Sequence, residues 1–259
     1  MKKIFCLALY LLIALIQTTC LHAQSTESPR MFAVLETSVK PAWISVFESA
    51  QLDLYTLAKE KNISWQAGPI ISLNEDCSYL QVFPPIKELN DLEILQNQFR
   101  PTKIEARDKL LTKILQARRC AKWIVLRERP DLSYHPGDHE ITLGEASQYF
   151  NLTFFYGISG RIDEFEAVCK EWIELYKTNE IPYGYSVFET VLGLEQPSLL
   201  FVYAADDAGQ FFGNQQKIAQ KLGYSEAGMM EKAMKLCRRY EVRSGFYRPE
   251  LTEWRVWGK

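Results

Sequence analysis

Arg129-Pro130-Asp131-Leu132-Ser133 returns as Arg248-Pro249-Glu250-Leu251-Thr252, 119 residues further along the chain. Arg118-Arg119 returns as Arg238-Arg239 at a spacing of 120, and Phe47 matches Phe165 at 118. The correspondence continues with Phe32 on Phe150, Leu57 on Leu175, Ile63 on Ile181, and Leu80 and Val82 on Leu200 and Val202. The offset drifts only between 118 and 120, so the loops of the two copies differ by one or two residues. Self-similarity over this length means one unit used twice, which constrains the architecture more firmly than local propensity does. It does not name a reaction.

The first unit spans 31–134, a link covers 135–148, and the second unit spans 149–259. In the first, residues 32–36 read as a strand. From Trp43 the apolar residues Val46, Phe47, Ala50, Leu54, Leu57 and Ala58 keep the 3.6-residue period of an amphipathic helix ending near Lys61. Residues 63–73 and 79–83 read as strands, 88–99 and 103–122 as helices, and 123–126 as a closing strand. In the second, 150–156 is a strand and 162–176 a helix. Strands follow at 183–192 and 199–203, helices at 210–222 and 226–239, and extended segments at 243–247 and 254–257. Pro136-Gly137-Asp138 in the link is turn chemistry.

Each unit therefore reads β-α-β-β-α-(α)-β, the ferredoxin-like order, in which an antiparallel sheet carries its helices on one face. The other face needs cover, and two copies in one chain can supply it by packing sheet against sheet. The predicted fold class is α+β: two tandem ferredoxin-like repeats forming an intramolecular barrel. This order and duplication resemble the dimeric α+β barrel superfamily in a tandem, single-chain form of secreted bacterial type. The resemblance covers roughly 31–257 and rests on architecture. It implies relatives among cofactor-free monooxygenases, haem-degrading enzymes, lactone isomerases and many proteins without an assigned activity. None of their catalytic motifs can be placed on this chain residue by residue.

The N-terminus carries an address. Lys2-Lys3 precede the apolar run Ile4 to Ile16, and Leu21-His22-Ala23 fits a cleavage site. Residues 1–23 read as a secretory signal peptide and 24–30 as a polar leader, which predicts a periplasmic or secreted protein. Lipoprotein anchoring at Cys20 is the lesser alternative. No other apolar run nears the roughly 20 residues a membrane span needs. Cys77, Cys120, Cys169 and Cys237 remain after cleavage. Their even number permits two disulfides in an oxidising compartment, although a chain of this length can bury a core without them, and buried free thiols are the preferred reading.

Acidic and basic residues nearly balance, 32 against 30, which argues against nucleic-acid binding. His135 and His139 flank Pro136-Gly137, and so read as a surface link rather than a metal site. No haem-attachment, nucleophile-elbow or phosphate-loop motif is present, so no cofactor is expected. The Arg-Pro-acid-Leu-hydroxyl motif occurs in both copies and is expected to serve the fold, with Arg129 and Arg248 pairing across the pseudo-twofold or within their own halves. Glu36 and Glu189 lie on strands and become candidate general bases if they face a closed pocket. Aromatic residues make up 13% of the chain, and Trp65, Tyr183 and Tyr203 are the candidate ligand contacts. The leading expectation is an extracytoplasmic protein holding a small apolar or aromatic molecule between sheet and helices, as a monomer or weak homo-oligomer. The alternatives are a cofactor-independent monooxygenase or isomerase, and a protein-interaction module.

Overall fold

The computed structural model describes residues 29–61, 68–74, 77–100, 104–137 and 148–251. The signal peptide, Cys20, Trp65, His139 and the segment 254–257 lie outside the described residues. Eight strands close into one barrel in the order β1-β3-β2-β8-β5-β7-β6-β4, every neighbouring pair antiparallel. These are β1 (Met31–Val39), β2 (Ile70–Leu73), β3 (Ser78–Ile86), β4 (Arg118–Glu128), β5 (Tyr149–Gly157), β6 (Ser186–Leu192), β7 (Ser198–Ala205) and β8 (Cys237–Tyr247). Six helices lie outside: α1 (Ile44–Glu60), α2 (Asp91–Asn97), α3 (Glu105–Ala117), α4 (Ile162–Thr178), α5 (Ala208–Leu222) and α6 (Tyr224–Met234). The expected α+β class is observed.

The offset seen in the sequence reappears in the elements. β1 and α1 begin 118 residues before β5 and α4, and β4 begins 119 before β8. Each half places its first strand centrally, β1 between β3 and β4, and β5 between β7 and β8. Two seams join the halves, β2 to β8 and β4 to β6. The first seam is tight at Gly245, where a Cβ would lie 2.4 Å from the Ser72 carbonyl oxygen, so only glycine lets the backbones pair.

Alternation along the strands sends one set of side chains into the barrel and the other under the helices. The outer set forms separate cores for the halves. Phe47, Leu54, Leu111 and Ile114 pack over the first, and Phe155, Phe165, Trp172, Tyr176 and Tyr185 over the second. Two helix ends differ from expectation in the same way. The helices stop at Ala117 and Met234, so Arg118-Arg119 open strand β4 and Arg238-Arg239 lie in the first residues of β8 rather than extending helices. Pairing decides this: Val39 takes Arg118 as partner and Gly157 takes Cys237, which draws the chain into the ladder a turn early. The second strand of the second half, β6, begins at Ser186, leaving Tyr183 in the preceding loop.

The repeated pentapeptide forms a 3-10 turn in each half, Pro130–Leu132 and Pro249–Leu251. Leu132 and Leu251 are buried beneath these turns. The backbone N–H of Arg129 donates to Val187 O, and that of Arg248 to Ile70 O, both at 2.8 Å. Each turn thus ends its own strand while fastened to the other half.

Candidate functional site

The inward-facing side chains do not fill the barrel. They line a half-open cavity of about 260 Å3, walled by Val34, Ile71, Leu80, Val82, Ile124, Leu126, Leu152, Leu200 and Val202 with the rings of Phe32, Phe154 and Phe188. Eight-stranded barrels are just wide enough to be packed solid or to hold one small ligand. Phe32 and Phe188 meet edge to face at 5.9 Å, closing the wall where β1 and β6 flank β4.

The wall carries charge at two places. Arg30 grips Glu128 with two hydrogen bonds of 2.9 Å and sits 5.7 Å from the Phe32 ring centre. The other place pairs Glu36 on β1 with Arg243 on β8. Arg243 Nη1 donates to Glu36 Oε1 at 2.6 Å, and its Nε donates to Glu241 Oε1 at 2.6 Å. The guanidinium also lies 5.4 Å from the centre of the Phe154 ring. Burial works to lower the Arg243 pKa, but the hydrogen bonds and negative charge of Glu241 and Glu36 outweigh it and raise it. Glu36 Oε2 lies 3.3 Å from Lys122 Nζ, yet it is buried and accepts no hydrogen bond. Its ion pair with Lys122 is off the line that a hydrogen bond requires.

This pair has no counterpart at the matching positions of the other half. At the repeat offset Glu36 corresponds to Phe154, and Arg243 corresponds to Ile124. One half therefore supplies the acid, the other supplies the base, and the equivalent positions are apolar.

Of the site candidates among the described residues, Glu36 alone borders the cavity. Glu189 lies on the outer side of the β4–β6 seam, where Arg127 Nη1 and Arg129 Nη1 donate to it at 2.7 and 3.2 Å. Tyr203 packs outward under the helices, 5.5 Å from the Tyr185 ring and 6.2 Å from Phe211. Burial pushes its phenol well above the usual range. Tyr183 packs against the same outer core, with Lys217 Nζ 5.9 Å from its ring centre. The space between sheet and helices, expected to receive a ligand, is occupied by side chains in the second half, and the open volume lies on the opposite face of the sheet. Arg243 escaped the sequence reading. The signal that finds it is the comparison of the halves, since a lone arginine stands where the other copy has isoleucine at an inward strand position.

Among the described residues no group of three or more His, Cys, Asp and Glu could hold a metal ion. Haem, which the haem-degrading branch of the superfamily implies, finds no His, Cys, Tyr or Met among the residues lining the cavity to take an axial position. The lining does not fit that group.

The sequence matches no protein-family model. No curated protein matches it either. Solved structures do resemble the fold. An anthrone oxidase-like protein superposes with a TM-score of 0.59 at 11% identity, over 86% of this chain and 92% of that one. A chlorite dismutase mutant from Candidatus Nitrospira defluvii gives 0.52 at 9% identity, over 87% and 94%. A candidate monooxygenase from Fusobacterium nucleatum gives 0.51 at 10% identity, over 86% and 94%. At such identities the likeness concerns the fold alone, which is that of the dimeric α+β barrel proteins.

Proposed function

We propose that this chain is an exported binding protein that takes one small, largely apolar or aromatic ligand into the interior of its barrel. The observation that carries the reading is the half-open cavity of about 260 Å3 with its aliphatic and aromatic wall. A cavity of roughly 150 Å3 already admits benzene, so this one has room for a second ring. Ligand sites are mostly apolar with a few placed polar groups, and the Glu36–Arg243 pair is such a group. The matching element order of the halves supports a tandem, single-chain descent from a ferredoxin-like unit. Closure within one chain supports a monomer. Residues 1–23 support export, with cleavage before Gln24.

The test is a thermal-shift series on the mature chain with one- and two-ring aromatic compounds, aromatic acids and quinones. A ligand at a hundredfold excess over its Kd stabilises by about 2.7 kcal/mol. For a chain of this size that raises Tm by roughly 5–10 °C. If no one- or two-ring compound moves Tm, the reading fails.

A second reading, a cofactor-independent monooxygenase or isomerase, is favoured by Glu36, the cavity carboxylate with a buried oxygen that accepts no hydrogen bond. There Glu36 acts as general base. Oxygen consumption or isomerisation of a bound compound, abolished by Glu36→Gln, is its signature.

A further inference from the structure

We propose that the ligand of the barrel is an uncharged aromatic molecule bearing a hydroxyl group, and that this hydroxyl docks between Glu36 and Arg243. The proposal rests on the binding reading above and names the chemical class.

The polar end of the cavity is balanced in charge. Glu36 and Glu241 face Arg243 and Lys122 within ion-pair distance. Arg239 reaches Glu241 Oε2 at 3.3 Å but also pairs with Glu195, outside the cavity. A carboxylate ligand would meet an arginine already neutralised by two acids, with the Glu36 charge beside it. An ammonium ligand would meet Arg243, with Lys122 already paired to Glu36 behind it. Either ion would lose its hydration without gaining an unopposed partner.

The hydrogen-bonding capacity left over is of two kinds. Glu36 Oε2 is a buried acceptor that receives no hydrogen bond. Arg243 spends Nε on Glu241 and Nη1 on Glu36, and its Nη2 makes no hydrogen bond among the described residues. A spare acceptor thus stands beside a spare donor. A carboxylate only accepts and an ammonium only donates, whereas a hydroxyl does both. The rings that flank this end, above all Phe154 under Arg243, select an aromatic carrier.

The halves explain why this recognition occurs once. Phe154 and Ile124 hold the symmetry-related positions and offer neither donor nor acceptor. The opposite charged pair, Arg30 with Glu128, is closed on itself by two hydrogen bonds.

The test compares 2-naphthol, 2-methoxynaphthalene, naphthalene and 2-naphthoate by calorimetric titration of the mature protein at pH 7. A hydrogen bond to a charged acceptor predicts that 2-naphthol binds at least about tenfold more tightly than naphthalene or 2-methoxynaphthalene, with 2-naphthoate weakest. Glu36→Gln is expected to shrink the naphthol advantage and to admit 2-naphthoate, because Arg243 is then opposed by one acid instead of two. Equal binding of 2-naphthol and its two donor-free analogues would overturn the hydroxyl assignment and leave the binding reading standing. Preference for 2-naphthoate would overturn it in favour of an acid. Failure of all four to bind would overturn the hydroxyl assignment, and the binding reading would fall with it if the thermal-shift series is blank as well. Should Glu36→Gln not fold, the four-ligand comparison on the unaltered protein decides.

Discussion

Arg129 grips Glu166 across the boundary between the halves, Nη1 to Oε1 at 2.6 Å and Nη2 to Oε2 at 2.8 Å. Arg129 directly follows β4 of the first half, and Glu166 lies on α4 of the second. The exchange is reciprocated: Arg248, ending β8, donates through Nη1 to Glu48 on α1 at 2.8 Å, and Tyr79 donates to the same oxygen at 2.7 Å. Each arginine also binds the acid two residues on, Asp131 or Glu250. The motif pairs both within its own half and across the pseudo-twofold.

Removing Arg129 leaves Glu166, Asp131 and Glu189 facing one another. The Arg129 side chain is only 16% exposed, so its loss is felt in a medium poorer than water at screening charge. Arg129→Ala is expected to cost about 2–3 kcal/mol, below the value for a fully buried pair. Arg248→Ala should cost less, because its side chain is more exposed, at 27%, and it makes one bond to Glu48 where Arg129 makes two to Glu166. Urea midpoints at constant m would show the order; an unchanged midpoint for Arg129→Ala removes the argument.

Burial raises the pKa of Glu226 on α6 above its usual value, opposed by a hydrogen bond from Tyr176. A carboxyl with a raised folded pKa favours folding while protonated. Its contribution is present at low pH and is lost as pH rises from the usual glutamate range through the folded pKa. Glu226→Gln should therefore stabilise the protein at pH 7 and do little at pH 4. Melting curves at the two pH values check this, and an equal effect at both contradicts it.

Val202→Phe adds bulk to the cavity wall opposite no compensating void elsewhere. It should abolish binding of two-ring compounds. The usual overpacking penalty of about 1–3 kcal/mol should be reduced, since the added atoms enter open space. A Val202→Phe protein that melts normally and still binds a two-ring ligand would place the ligand outside the barrel.

No disulfide joins Cys77, Cys120, Cys169 or Cys237. Cys120 is exposed, whereas burial pushes the Cys169 thiol up to about 12 and the Cys237 thiol up to about 11. Since the thiolate is the reactive form, a thiol reagent at pH 8 should label Cys120 within minutes and Cys169 only after unfolding. Mass mapping of the labelled peptides reads the sequence of events.

Much of the fold was legible because the repeat tied each ambiguous segment to a second copy. Apolar spacing located α1 and α4 to within a residue or two at the end that Trp43 and Ile162 begin. What failed was the junction at Arg118 and Arg238, where charged residues after an amphipathic helix look like its last turn. Only the distant strands β1 and β5 turn them into ladder. The site was half legible. Glu36 was identified as a strand carboxylate, but period-two alternation alone does not say which face closes on a cavity. Glu189 satisfied the same criterion and fell on the outer face, and the aromatic candidates Tyr183 and Tyr203 pack against the outer core. Arg243 needed its partner to be noticed, and that partner is 207 residues away.

The unmatched Glu36–Arg243 pair has a consequence for counting. An assembly of two identical chains must repeat every feature of its interior, so a charge at one end of such a barrel would face its twin at the other. Here the two ends are written by different codons. The interior consequently has a head and a tail: on the binding reading proposed above it would take one guest per chain, seated one way round, and a substitution at either residue would change a single event rather than two.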